Sequence, residues 1–375
     1  MGAHGTAVQP SSVHRESPAG IEPAGSTGAP RRRNWRGNSG RTSFRWAGTR
    51  GGQVSVTTHD IFGSAAGAQP ATPGSYGEVP RGFRLPAALR LGPVHLQVAD
   101  LARSAAFYTE TLGLRLIERD AAGAVLGAHG GDLPLVVLHE RAGARPAPRR
   151  GRTGLFHFAI LLPERAALGR FVRHLSEIGA QAGAGDHLVS EALYLQDPDN
   201  LGIEVYADRP RDTWKRLGRE LMMATDPVDM AGLVRAAGDE PWTGMPAGTT
   251  IGHLHLHVGD LAAASAFYHG ALGFDRMVWQ YPGALFLAAG GYHHHLGTNT
   301  WAGSGAAAPA ADEAQLLEWT IELPDPASLL AVTESLGLAG HEAEASTSAQ
   351  GSVGVAVRDP WGTRLRLQIA APRGG

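Results

Sequence analysis

The stretch GPVHLQVADLARSAAFYTETLGL (92–114) returns later in the chain as GHLHLHVGDLAAASAFYHGALGF (252–274). Each copy opens with alternating side chains. In the second, His253, His255 and His257 share one face while Leu254, Leu256 and Val258 share the other, which predicts a half-buried strand. An acid follows, Asp100 or Asp260, placed to N-cap a helix. Apolar residues then recur at helical spacing (Leu261, Ala264, Phe267, Tyr268, Leu272), and a Leu-Gly pair ends the helix. Asp100 and Asp260 lie 160 positions apart. Two fainter copies begin at HFAILLPERAAL (157–168) and EWTIELPDPASL (318–329), whose acids Glu164 and Asp325 lie 161 positions apart. Further on, LYLQDPDNLGIEVY (193–206) parallels VAVRDPWGTRLRLQ (355–368). A two-module unit is therefore duplicated, making four modules.

Each module reads as strand, helix and three further short strands separated by Gly-rich turns. That pattern predicts an α+β fold with helices on one sheet face and the other face left to line a cavity. The expected organisation is a disordered low-complexity tail over 1–85, modules one and two over 86–208, a helical connector over 209–248, and modules three and four over 249–375. The tail contains the Arg-rich run RRRNWRGNSGRTSFRWAGTR (31–50) without strand or helix periodicity, and its composition does not favour a packed core.

Composition narrows the function classes. A formal net charge of -2 gives no global field for nucleic acid or an anionic membrane. The absence of cysteine removes disulfides, thiolate metal sites, iron–sulfur clusters and a Cys nucleophile. No apolar run approaches the ~18 residues that cross a bilayer. The opening residues also lack a signal-peptide core, so a cytoplasmic protein is expected, with homo-oligomerisation left open.

The four modules resemble the vicinal-oxygen-chelate (glyoxalase/bleomycin resistance/extradiol dioxygenase) superfamily, whose βαβββ units pair into half-barrels that hold a metal. In that superfamily one ligand stands at the start of a module's first strand, seven residues before the acid that opens the helix. The corresponding residues are Pro93, His157, His253 and Glu318. A second ligand comes from a module's last strand, where Glu204 stands in module two and Arg366 in module four. The resemblance thus implies a metal held by His157, His253 and Glu204, a two-histidine, one-carboxylate set suited to non-haem Fe(II), with Mn(II) fitting the same ligands. Modules one and four read as a degenerate site. His255 competes with His253 if the strand is registered differently.

Within the superfamily, the chain is most similar to catechol 2,3-dioxygenase-like proteins. GDHLVSEALYLQDPDNLGIEVY (185–206) resembles the stretch in which extradiol enzymes carry a His, a Tyr and the ligating Glu, implying roles for His187, Tyr194 and Glu204. FLAAGGYHHHLG (286–297) resembles the segment bearing the acid–base histidine, which falls on His294. Read as a strand, this run would turn His293 and His295 away from His294; a polar turn is the other reading of three adjacent histidines. The resemblance implies an Fe(II)-dependent extradiol ring-cleaving dioxygenase taking a small aromatic diol and O₂. In it His294 moves protons, Tyr194 hydrogen-bonds a substrate oxygen and His187 polarises or protonates the carbonyl that develops. The alternatives are a glyoxalase-like metal-dependent lyase or isomerase, and a small-molecule binding or resistance protein without turnover. Two histidines and one carboxylate can meet only if modules two and three pair across the duplication, leaving one and four to pair with each other.

Overall fold

The computed structural model describes residues 56–347 and 351–371. The expectations for residues 1–55, including the Arg-rich run, lie outside the described residues.

An N-terminal segment holds helix α1 (Thr58–Phe62) and strand β1 (Gln69–Pro70). Module one contains β2 (Arg90–Val98), α2 (Leu101–Ala106), β3 (Arg115–Arg119), β4 (Gly123–Gly127) and β5 (Pro134–Glu140). Module two contains β6 (Gly154–Leu161), α3 (Arg165–Glu177), β7 (Gly183–Asp186), β8 (Ser190–Gln196) and β9 (Gly202–Asp208). The connector carries β10 (Lys215–Leu217), β11 (Glu220–Leu221) and α4 (Met230–Ala236). Module three contains β12 (Thr250–His257), α5 (Leu261–Ala264), β13 (Asp275–Val278), β14 (Ala284–Ala288) and β15 (Leu296–Asn299). Module four contains β16 (Gln315–Leu323), α6 (Pro326–Leu338), β17 (Glu344–Thr347), β18 (Val353–Arg358) and β19 (Arg364–Ile369).

The acids between first strand and helix behave as their chemistry requires. Asp100, Asp260 and Asp325 each accept from the backbone N–H three residues on, while Glu164 caps without a side-chain bond because its carboxylate reaches Arg170. In modules one and three the helix widens into a π-helical stretch, Phe107–Thr111 and Ser265–Ala271, at the repeated Phe-Tyr. This turns Tyr108 and Tyr268 fully into the core.

The modules form two curled eight-stranded sheets of mixed α+β architecture. One has the order β13-β14-β15-β12-β6-β9-β8-β7 and the other β17-β18-β19-β16-β2-β5-β4-β3. Modules two and three thus share one half-barrel through the antiparallel pair β12–β6, and modules one and four share the other through β16–β2. This crossed pairing is the one expected from the division of His157, Glu204 and His253 between modules two and three. In each module the first strand runs parallel to the last, as in β6–β9 and β16–β19. One face of every central strand is apolar and packed; Leu254, Leu256, Phe158, Ile160, Ile321 and Leu367 are all fully buried in the core. The other face is polar and concave.

Three expectations are corrected here. The tail does not extend to residue 85: residues from 56 onward pack on the rest of the chain. Val56, Tyr76 and Leu85 are buried, Thr58 bonds Asp226 through both its backbone and side chain, and Tyr76 Oη donates to the Gly291 carbonyl at 2.7 Å. Composition misled because these residues are held by partners more than a hundred positions away. The connector, expected to be helical, has one α-helix, a single 3₁₀ turn at Arg211–Thr213 and the β10–β11 hairpin, which joins β1 in a small sheet. Prolines 210, 227, 241 and 246 break any longer helix. Finally, His293, His294 and His295 lie in the turn between β14 and β15, not in a strand, so side-chain alternation does not govern them.

Candidate metal centre and active site

The centre forms where four neighbouring strands bring their polar faces together. Tyr194 on β8 pairs with Glu204 on β9, Glu204 pairs with Ala159 on β6, and Ala159 pairs with His253 on β12. His157 stands two residues before Ala159, on the same face. Because residue 159 is a fully buried alanine, the space it leaves is ringed by longer side chains. His157, Glu204 and His253 each present a ligand atom there, all within 4.8 Å of one another. His157 Nε2 lies 3.0 Å and His253 Nε2 3.2 Å from Glu204 Oε2. About 3 Å is the separation of adjacent ligands around one first-row ion with bonds near ~2.1 Å.

The donor set fits a divalent cation on a second count. Buried polar atoms are normally satisfied. Yet Glu204 Oε1, on the carboxylate that both histidines face, is buried without a hydrogen-bond partner, as is His255 Nε2 on the cavity wall. Burial alone would raise the Glu204 pKa, but His253 and His157 outweigh it and hold the carboxyl well below its usual range. His253 is pushed down to about 4, chiefly by burial, so it is neutral and carries a lone pair near pH 7. An anionic carboxylate and a neutral imidazole are what a metal requires of its ligands. His255 is the register partner of His157 and lines the same cavity, but lies outside the three-residue cluster.

The cavity over the centre has a volume of about 30 Å³, and His187, Tyr194 and His294 all face it. Its rim is set by Tyr281, Phe286, Trp301 and the connector residues 223–225. His187 sits in the β7–β8 turn. Its Nδ1 lies 2.7 Å from the Ala224 carbonyl and so must donate, and its Nε2 lies 2.5 Å from Tyr194 Oη. In the neutral ring Nε2 therefore accepts, and the Tyr194 hydroxyl donates to it.

A comparable chain fixes His294. His293 Nε2 donates to Asp208 Oδ1 at 2.9 Å, and His293 Nδ1 lies 2.7 Å from His294 Nδ1. With neutral rings, His293 Nδ1 accepts and His294 Nδ1–H donates, which leaves His294 Nε2 as a basic nitrogen. Burial, then His253 and His293, pushes the His294 pKa well below the ordinary 6.5. Its ring centroid is 4.1 Å from that of His253. His295 points elsewhere: its Nδ1 accepts from the Ala289 N–H and its ring stacks on Phe274.

Sequence reading missed several participants. Asp208 lies two residues beyond Tyr206 in YADRPRDTW (206–214), a run that is similar to catechol 2,3-dioxygenase-like proteins but implies no role for the aspartate. Phe156 is the extra residue of a bulge in β6, where the register slips between His255 and Leu256, and the bulge lays its ring against His157, His255 and His257. Gly252 also escaped notice: a Cβ there would come 1.9 Å from Tyr206 Oη, so glycine leaves room for the tyrosine behind His253.

Two curled sheets of paired βαβββ modules around a two-histidine, one-carboxylate cluster able to hold a metal define the class of fold. The profile of the Glyoxalase/Bleomycin resistance protein/Dioxygenase superfamily matches residues 90–205 and 250–367, and the chain belongs to that superfamily. In sequence it is similar to the Catechol-2,3-dioxygenase of Bacillus subtilis (strain 168), with 46% identity over 258 residues, 68% of this chain and 90% of that protein. In structure it is similar to a crystal structure of a protein from Bacillus subtilis subsp. subtilis str. 168, with a TM-score of 0.52 and 12% identity over 77% of this chain and 87% of that one, a likeness of fold. Glyoxalase I from Zea mays is also similar, with a TM-score of 0.47 and 20% identity, covering 75% of this chain and 92% of that one. No helix among the described residues is long and apolar enough to cross a membrane.

Proposed function

We propose that this chain is an extradiol ring-cleaving dioxygenase that uses Fe(II) to insert both atoms of O₂ into a catechol. The observation that carries the reading is the convergence of His157, Glu204 and His253 beside His294, in a chain 46% identical to a Catechol-2,3-dioxygenase. Glu204 is the lone carboxylate among the residues lining the cavity, and none of them is an amide, which disfavours the four-ligand glyoxalase arrangement. His157, Glu204 and His253 hold the iron, and bound there it supplies Lewis acidity and a template for the diol and O₂. Mn(II) suits the same donors.

The remaining work falls to the chain itself. His294 Nε2 takes a proton from the reacting molecule and returns it later, while Asp208 and His293 keep the ring in the required tautomer. The Tyr194 oxygen accepts from a diol hydroxyl as its own proton moves toward His187 Nε2, and the Ala224 carbonyl keeps His187 oriented. Tyr281, Phe286 and Trp301 offer flat apolar walls for an aromatic ring and limit water. The test is anaerobic loading with Fe(II) followed by a panel of catechols in air, read by the yellow ring-cleavage product. Yellow product with Fe(II), lost in Glu204→Ala along with bound iron, is expected; iron binding without product from any catechol overturns the reading.

A further inference from the structure

The space over the metal centre, about 30 Å³, holds little more than one water molecule, whereas an aromatic ring needs on the order of 150 Å³. A wall must therefore yield before a catechol binds. Tyr281, Phe286 and residues 223–225 are buried in the fold. The half-buried wall residues are tied by hydrogen bonds: His187 to Tyr194 and the Ala224 carbonyl, and Trp301 Nε1 to the Pro282 carbonyl at 3.1 Å. Phe156 is different. It is half-buried, its side chain has no polar atom, and it rests on the rings of His157, His255, His257 and Trp301 at centroid distances of 4.8 to 5.7 Å.

A second cavity, of about 300 Å³, lies on the other side of that ring. It continues the same concave face one row along. Tyr194 on β8, Glu204 on β9 and His255 on β12 line the metal cavity; Gln196, Gly202 and His257, each two positions away on the same strand, line the second. Gln196 and Gly202 are register partners. Phe156, the extra residue of the β6 bulge, stands between the two rows, and a Cβ at Gly202 would run into its carbonyl, so glycine makes room for the bulge. Leu316 on β16 and Trp361 in the β18–β19 turn supply the far wall. The guanidinium groups at the edge, Arg149, Arg152 and Arg358, are bonded to Gln196, Glu313 and the Gly362 carbonyl.

We propose that Phe156 is a specificity-determining residue: its ring turns aside to join the two cavities, and the larger one receives an aryl-sized substituent carried by the diol. The preferred substrate is then a substituted catechol and not catechol itself. The diol at the metal rests on the dioxygenase reading; the partition rests on the two cavities and the ring between them.

Titration calorimetry on the full chain loaded with Zn(II), which takes His and Glu ligands and has no redox chemistry, tests it with catechol, 3-phenylcatechol and 4-phenylcatechol. At least one phenylcatechol should bind about tenfold more tightly than catechol. Phe156→Ala should raise that ratio about a further tenfold and Phe156→Trp should lower it by a similar factor, the worth of roughly two buried CH₂ groups. A merely structural role for Phe156 would shift both diols alike. Should Phe156→Ala fail to fold, Phe156→Trp still decides. The proposal is overturned if catechol binds as tightly as both phenylcatechols, or if the ratio stays the same in every folded variant. Phenylcatechol binding without yellow product from the Fe(II)-loaded protein would sink the dioxygenase reading and leave the subsite standing; no binding of any diol overturns both.

Discussion

His294 owes its basic nitrogen to a residue 86 positions earlier: Asp208 orients His293, and His293 orients His294. In His294→Ala, turnover should fall by ~10²–10⁴-fold, the usual worth of proton-transfer catalysis, with bound metal retained. Asp208→Asn and His293→Ala, which free the tautomer without removing the base, should cost about 10–100-fold, as loss of an orienting partner generally does. His295→Ala should leave turnover nearly unchanged. Equal losses at 293, 294 and 295 would sink the relay. The adjacent alanine is as telling. In Ala159→Leu a side chain would occupy the space ringed by His157, Glu204 and His253, so metal content measured after reconstitution should drop to background while the far-ultraviolet circular dichroism stays native.

At the scale of elements, the N-terminal segment braces the connector that borders the site. Helix α1 is too short to be stable alone. It is held because Thr58 N–H and Oγ1 both donate to Asp226, and because the Val56 carbonyl accepts from the Thr225 N–H. Those bonds hold the connector strip whose Ala224 carbonyl anchors His187. A chain beginning near Arg84 would lose them together with buried Val56 and Tyr76. Each such side chain is worth roughly 1.5–3 kcal/mol of apolar burial, so a clear drop in the denaturation midpoint and in turnover is expected. Unchanged stability and activity in the truncated chain would show that this segment is ornamental. Thr58→Ala, a milder change, should cost about 1–2 kcal/mol.

Across the whole molecule, burial of histidine makes stability depend on pH. Burial pushes His95, His253 and His257 down to about 4 and His295 down to about 3, against an ordinary 6.5. Between 6.5 and about 4 the unfolded chain therefore binds more protons than the folded one, so stability falls as pH drops through that window. Glu204 acts with the same sign at lower pH: held below its usual range, it contributes stability above the unfolded carboxylate value and loses it on further acidification. The thermal midpoint of the metal-free protein should be nearly level from about pH 8 to 7 and decline steadily toward pH 4.5. A level profile across that range would contradict the burial of these rings.

The duplication and the α+β class were legible in the sequence because each depends on local spacing: alternation in a strand, an acid before a helix, a repeat of 160 or 161 positions. The resemblance to the superfamily, not spacing alone, singled out His157, Glu204 and His253, which the fold brings together. Elimination among Pro93, Glu318 and Arg366 even pointed to the crossed pairing of modules. Local spacing does not report which distant groups satisfy a backbone or a ring nitrogen. Only the tertiary structure decided that residues from 56 onward join the fold, that the three histidines occupy a turn, and that Asp208 stands behind them. Those outcomes rest on hydrogen bonds spanning 85 to 215 positions, and no window along the chain contains both partners.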